Sequence, residues 1–212
     1  MRFWYRLCWW IVRIGLFFWH PSFHVVGRQL VPPGACLLCA NHSGAADPLW
    51  ILLALNSPDM IRIIAKQELR SAPVLGWILE RFRIIFVRRG AHDIAAYNAC
   101  VEALRDEHDK LLVFIEGTRC NGSKHVRAKT GAIRMAEQAQ VPLVPVFVTR
   151  NKTPFCPIEV RFGAPYRIGP EPDAPRERYQ MLADEALRTI YQLGGDSYAD
   201  QVGKNSRVLL RS

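Results

Sequence analysis

Apolar residues along this chain gather in short runs separated by polar turns, with longer amphipathic stretches between them. The segments 23–29 (FHVVGRQ), 36–40 (CLLCA), 61–65, 83–87, 111–115, 143–148 and 158–162 read as strands. Segment 36–40 runs into a polar turn, as a buried strand does, whereas 158–162 alternates in polarity. Helical patterns occupy 48–55, 73–81, 91–107, 129–138 and 176–192. Asp47 is placed to cap the first of them, with Pro48 at the first helical position. Strands alternating with helices predict an α/β fold: a mixed, largely parallel sheet flanked by helices on both faces. In such sheets ligands bind at the carboxyl ends of the strands. Three polar segments follow strands directly: Asn41-His42, Arg88-Arg89-Gly90 and Glu116-Gly117-Thr118-Arg119.

Residues 1–20 (MRFWYRLCWWIVRIGLFFWH) break this alternation. At 100° per residue, Arg2, Arg6, Arg13 and His20 fall within about 40° of one another, leaving a broad apolar face beside a narrow basic stripe. The longest apolar runs, 7–12 and 14–19, fall short of the roughly 18 residues that a span requires. No small-residue cleavage site follows them. An amphipathic helix lying in the bilayer interface is expected; packing on the core or a short span are the alternatives. The division is then a membrane-binding helix over 1–22, an α/β domain over 23–193 and a polar tail over 194–212.

Composition narrows the class. Half of the 212 residues are apolar and 22% are charged, which excludes a disordered chain and allows a core without covalent staples. The 28 basic against 19 acidic residues leave a net charge of +9, suited to an anionic leaflet. The six cysteines have no recurring spacing, as in a reducing compartment, and Cys36-x2-Cys39 reads as core rather than as a metal or redox site.

The run Asn41-His42-Ser43-Gly44-Ala45-Ala46-Asp47 holds a base and a carboxylate five residues apart. One continuous helix would set them about 140° apart. A strand end, a small-residue turn in which Gly44 can take positive φ, and a helix start can bring them together. Asp47 could then orient His42, and His42 could take a proton from a hydroxyl; a simple cap beside a loop histidine is the alternative. Arg119, Lys124, Arg127, Lys129 and Arg134 suggest an anion site or a solvated surface. Gly117-x4-Gly122-Ser123-Lys124 half-resembles a P-loop, but its lysine follows the serine, which excludes a nucleotide triphosphatase. Cys120 is a nominal nucleophile without a base partner in the sequence.

These residues resemble the His-x4-Asp glycerolipid acyltransferases, the family of the 1-acyl-sn-glycerol-3-phosphate acyltransferases. The N-H-x4-D block stands at Asn41, His42 and Asp47. A second block runs through Ala65-Lys66-x-Glu68-Leu69, Pro73-x2-Gly76 and Phe86-Val87-Arg88-Arg89-Gly90. The third, E-G-T-R-S, is Glu116-Gly117-Thr118-Arg119 with Cys120 for serine. The fourth is Val141-Pro142-Leu143-Val144-Pro145-Val146. The four stand in family order over about residues 35–150; the N-terminal membrane element is reduced. The resemblance implies transfer of a fatty acyl group from an acyl thioester, acyl-CoA or acyl carrier protein, to the free hydroxyl of 1-acyl-sn-glycerol 3-phosphate (lysophosphatidic acid), making phosphatidic acid. His42 would be the base and Asp47 its orienting partner. Arg89, Glu116, Gly117, Thr118 and Arg119 would bind the acceptor, and Pro142 and Pro145 would serve acyl binding or packing. No metal or cofactor is implied. The protein is expected at the cytoplasmic face of the cell membrane, peripheral or monotopic. Glycerol 3-phosphate, an ornithine-type lipid or another lysophospholipid are alternative acceptors. A non-catalytic lipid-binding protein is a further alternative, and nucleic-acid binding would leave the His-x4-Asp unit unexplained.

Overall fold

The computed structural model describes Trp10 and residues 13–16, 18–57, 61–88, 93–120, 127–171 and 175–195. Among them, the strands are β1 (Phe23–Val26), β2 (Leu37–Ala40), β3 (Ile61–Lys66), β4 (Ile85–Val87), β5 (Lys110–Phe114), β6 (Leu143–Val148) and β7 (Ile158–Phe162). The helices between and after them are α1 (Asp47–Leu55), α2 (Pro73–Arg81), α3 (Ile94–Arg105), α4 (Gly131–Ala139) and α5 (Arg176–Leu193). The strands form one sheet in the order β1-β7-β6-β2-β5-β3-β4. Neighbours run parallel except β6 and β7, which are antiparallel. This is the expected mixed, largely parallel sheet.

The period of two in the central strands builds two cores. Leu37 and Cys39 of β2, Leu111 and Val113 of β5, and Leu143 of β6 face α3, α4 and α5. Leu38 and Ala40, Leu112, and Val144, Val146 and Val148 face the other way, toward α1 with Trp50 and Ile51. Both faces are covered, so these strands read as unbroken apolar runs. Cys36 and Cys39 are buried in different cores, on opposite sides of the sheet, and cannot form one site.

Several element ends differ from the sequence pattern. β1 stops at Val26 because Gly27 turns left-handed (φ 76°) into a short 3-10 turn over Arg28–Leu30. β4 begins at Ile85 because Arg83 (φ 53°) is not extended. α3 starts at Ile94, where the Asp93 carboxylate accepts from the Ala96 N–H at 3.1 Å. Asp47 is the first residue of α1 and not its cap; the flanking position belongs to Ala46, which offers no side-chain cap.

Residues 13–16, 18 and 19 are helical, and Trp10, Ile14, Phe18 and Trp19 are each more than half exposed. Residues 1–9, with Arg2 and Arg6, lie outside the described residues, as does the tail from 196. Among the described residues no helix is long and apolar enough to cross a membrane.

Candidate active site

The site grows from the carboxyl end of β2. Asn41 continues the pairing with β6 through its side chain after the main chain has turned away. Its Nδ2 donates to the Val148 carbonyl at 2.9 Å, and its Oδ1 accepts from the Val148 N–H at 2.8 Å. His42 follows, fixed through its own backbone: its N–H donates to Glu116 Oε2 at 2.6 Å, and its carbonyl accepts from the Cys120 N–H at 2.8 Å. The ends of β2 and β5 are thereby joined at one rim.

The turn 43–46 then folds Asp47 back under the histidine. Asp47 Oδ2 accepts from the N–H groups of Ser43 (2.7 Å) and Gly44 (2.8 Å), and stands 2.8 Å from His42 Nδ1. Asp47 is fully buried. Burial opposes its ionisation, but the bonds from His42 and Gly44 and the nearby Lys152 ammonium outweigh burial and hold its carboxyl below the usual range. An ionised carboxylate only accepts, so Nδ1 carries the ring proton and Nε2 is the basic nitrogen. Among the described residues none bonds Nε2. The imidazole stacks on Phe114 at 4.1 Å between centroids, so the ring is held at its edge and its face. Gly44 does not take positive φ, contrary to expectation; a Cβ there would lie 3.1 Å from Lys152 Cδ, so glycine makes room for that side chain.

Glu116, expected at the acceptor, turns its carboxylate into the protein. Its carboxylate is 1% exposed and is taken up by the His42 N–H and the Tyr191 hydroxyl. Burial raises its pKa above the ordinary glutamate value, against the pull of those donors. Gly117 adopts φ 68° to turn the chain at the end of β5, its N–H donating to the Phe114 carbonyl at 3.0 Å. Thr118 and Arg119 are exposed beyond it, beside the His42 loop through the Cys120 contact. The Cys120 thiol is buried and pushed up to about 12 by burial and by Glu116, so it is not a thiolate nucleophile.

Of the wider basic cluster, Arg127 and Lys129 are exposed, while Arg134 lies over the Tyr179 ring at 3.9 Å. Arg88 is exposed and paired loosely with Asp93 at 3.8 Å. Arg89, Gly122, Ser123 and Lys124 lie outside the described residues. Pro142 precedes β6 at the end of the sheet away from His42, where its carbonyl accepts from the Leu37 N–H at 2.9 Å. Pro145 is buried in β6 opposite Cys39.

Two residues at the site escaped the sequence reading. Lys152 lies just past β6, and the rule that sites form beyond strand ends would have found it. Tyr191 carries no such signal: it comes from the last helix, 75 positions from Glu116.

Fold and site together define an α/β protein of the His-x4-Asp class, its pair set at the carboxyl rim. A family model described as Acyltransferase matches residues 22–149, more than half of the chain, and the chain belongs to the acyltransferase family. It is 30% identical over 133 residues to a 1-acyl-sn-glycerol-3-phosphate acyltransferase of Saccharomyces cerevisiae, covering 61% of this chain and 43% of that protein. It is 31% identical over 146 residues to 1-acyl-sn-glycerol-3-phosphate acyltransferase alpha of Mus musculus, covering 68% of this chain and 50% of that protein. The chain thus spans about half the length of these relatives. The crystal structure of the 1-acyl-sn-glycerophosphate (LPA) acyltransferase PlsC from Thermotoga maritima superposes with a TM-score of 0.65 at 22% identity, covering 86% of this chain and 76% of that one. That likeness is one of fold.

Proposed function

We propose that this protein moves a fatty acyl group from a thioester, acyl-CoA or acyl carrier protein, to the free hydroxyl of 1-acyl-sn-glycerol 3-phosphate, at the cytoplasmic surface of a membrane. The observation that carries the reading is the His42–Asp47 pair at 2.8 Å; exposed Thr118 and Arg119 follow β5, the strand paired with β2. Relatives named for this acceptor support it.

In this reading Nε2 takes the proton of the acceptor hydroxyl as its oxygen attacks the thioester carbonyl. A C–O bond forms, and the tetrahedral intermediate collapses with loss of the C–S bond. The imidazolium returns its proton to the departing thiolate. Asp47 stabilises that imidazolium and fixes its tautomer, as in other His–Asp pairs. A base so positioned contributes about 10²–10⁴ in rate. Arg119, together with Arg89, meets the acceptor phosphate, and Gly117 and Thr118 shape that side of the rim. Glu116 holds the His42 backbone and does not touch the acceptor.

Thiol release from an acyl thioester, with lysophosphatidic acid and with a phosphate-free monoacylglycerol, tests this. His42→Ala is expected to lower turnover by about 10²–10⁴ with acceptor binding retained. Arg119→Ala is expected to raise the apparent KM for the phosphate-bearing acceptor alone. Near-normal turnover in the His42 variant would overturn the base. Equal losses on both acceptors in the Arg119 variant would point to another lysolipid.

A further inference from the structure

Asp47 is held from two sides. One oxygen serves His42, and the other meets the Lys152 ammonium at 2.6 Å. Lys152 Nζ also donates to Ser43 Oγ at 2.6 Å and to the Thr149 carbonyl at 2.5 Å, and these two bonds hold the ammonium beside that carboxylate oxygen. Its side chain is 14% exposed and that of Asp47 is 0% exposed. In this low-dielectric setting a carboxylate facing an imidazole alone would strongly favour the imidazolium. A histidine already protonated cannot accept a proton from a substrate.

Resting on the acyl-transfer reading above, we propose that Lys152 is a positioning residue that sets the basicity of His42 through Asp47. The ammonium offsets the carboxylate charge on the far oxygen. The negative charge that Asp47 presents to the imidazole is thereby reduced. The same contacts lock the Ser43 and Thr149 ends of two loops around the carboxylate, so its orientation does not depend on the histidine.

Other groups near His42 are fixed between variants. Glu116 receives its N–H from the end of β5, and Tyr191 of α5 stands behind Glu116. Arg150 lies 5.5 Å from the Tyr191 ring centroid. The Cys120 thiol stays neutral and Phe114 is apolar. A change on removing Lys152 is therefore assignable to its charge.

The test is an NMR titration of the His42 imidazole in the full chain in detergent micelles, assigned by its loss in His42→Ala, beside the pH profile of kcat. Lys152→Gln keeps hydrogen-bonding capacity and removes charge; Lys152→Met removes both; Lys152→Arg keeps charge. The Gln and Met variants are expected to raise the His42 midpoint and the acid limb of kcat by about one pH unit. Turnover on the acid side then falls by about tenfold, and turnover on the alkaline plateau and the acceptor KM change little. The Arg variant is expected to titrate close to the wild type. If Met fails to fold, Gln and Arg still separate charge from packing. A wild-type midpoint in the Gln variant, or a uniform loss of kcat with no pH shift, would overturn the proposal and leave Lys152 a structural latch. A shifted midpoint in a protein that transfers no acyl group would instead refute the acyl-transfer reading alone.

Discussion

Around His42, carboxylates and amides are spent on the backbone as much as on chemistry. Glu116 is the plainest case, since one buried carboxylate accepts from the His42 N–H and from Tyr191. Its pKa is raised above 4.5 by burial. Between that value and the higher folded one, the native state keeps a proton that the unfolded chain has lost, so this group lowers stability as pH rises through that window. The penalty is absent below 4.5 and complete above the folded value. Glu116→Gln keeps an acceptor for the His42 N–H and removes the charge. It is expected to be more stable than the wild type at neutral pH, with the gain vanishing as pH falls toward 4.5, read by urea unfolding across pH. Glu116→Ala removes the acceptor of the buried His42 N–H and is expected to cost about 1–3 kcal/mol.

At the scale of elements, close backbone approaches set the rim. α2 leans on the 3-10 turn Gln67–Ser71, and a Cβ at Gly76 would fall inside van der Waals contact of the Arg70 carbonyl. That turn, with Arg88, lines a surface cleft of about 480 Å³. Gly76→Ala would gain about 1 kcal/mol of helix propensity, yet it is expected to destabilise by about 1–3 kcal/mol net, because main chain must move; thermal unfolding reads this. The same geometry explains what the sequence could and could not tell. β6, β7 and α2 stand at the predicted residues, since Pro142, Pro157 and Pro73 give sharp boundaries. β1 and β4 come out shorter, because one left-handed residue, Gly27 or Arg83, ends extension without changing the apolar pattern. His42 and Asp47 were legible because both lie within one turn. The partners Glu116 took from Tyr191, and Asp47 from Lys152, were not, since they arise from packing of distant segments with no spacing to mark them.

For the whole molecule, the membrane reading rests on residues 1–22 and the +9 charge. Trp10, Ile14, Phe18 and Trp19 present apolar surface outward, and Phe155 joins them at 72% exposed. Deleting residues 1–20 is expected to release the protein from vesicles while the core stays folded. Changing Arg2, Arg6 and Arg13 to Glu is expected to weaken binding to anionic vesicles by about 1 kcal/mol for each arginine lost near the surface. Co-sedimentation with neutral and anionic vesicles measures both, and unchanged binding would place this segment against the protein instead.

The antiparallel return from β6 to β7 has one more consequence. Its connecting loop is closed at its base, where the Thr149 N–H donates to the Glu159 carbonyl at 3.0 Å. Within it, the Phe155 N–H donates to the Trp19 carbonyl at 3.0 Å, and the Cys156 carbonyl meets His20 Nδ1 at 2.9 Å. Three positions earlier in the same loop stands the ammonium on Asp47. The aromatic segment at the surface and the acid beneath the histidine are thus in contact with one short loop, rather than being separated by the breadth of the sheet.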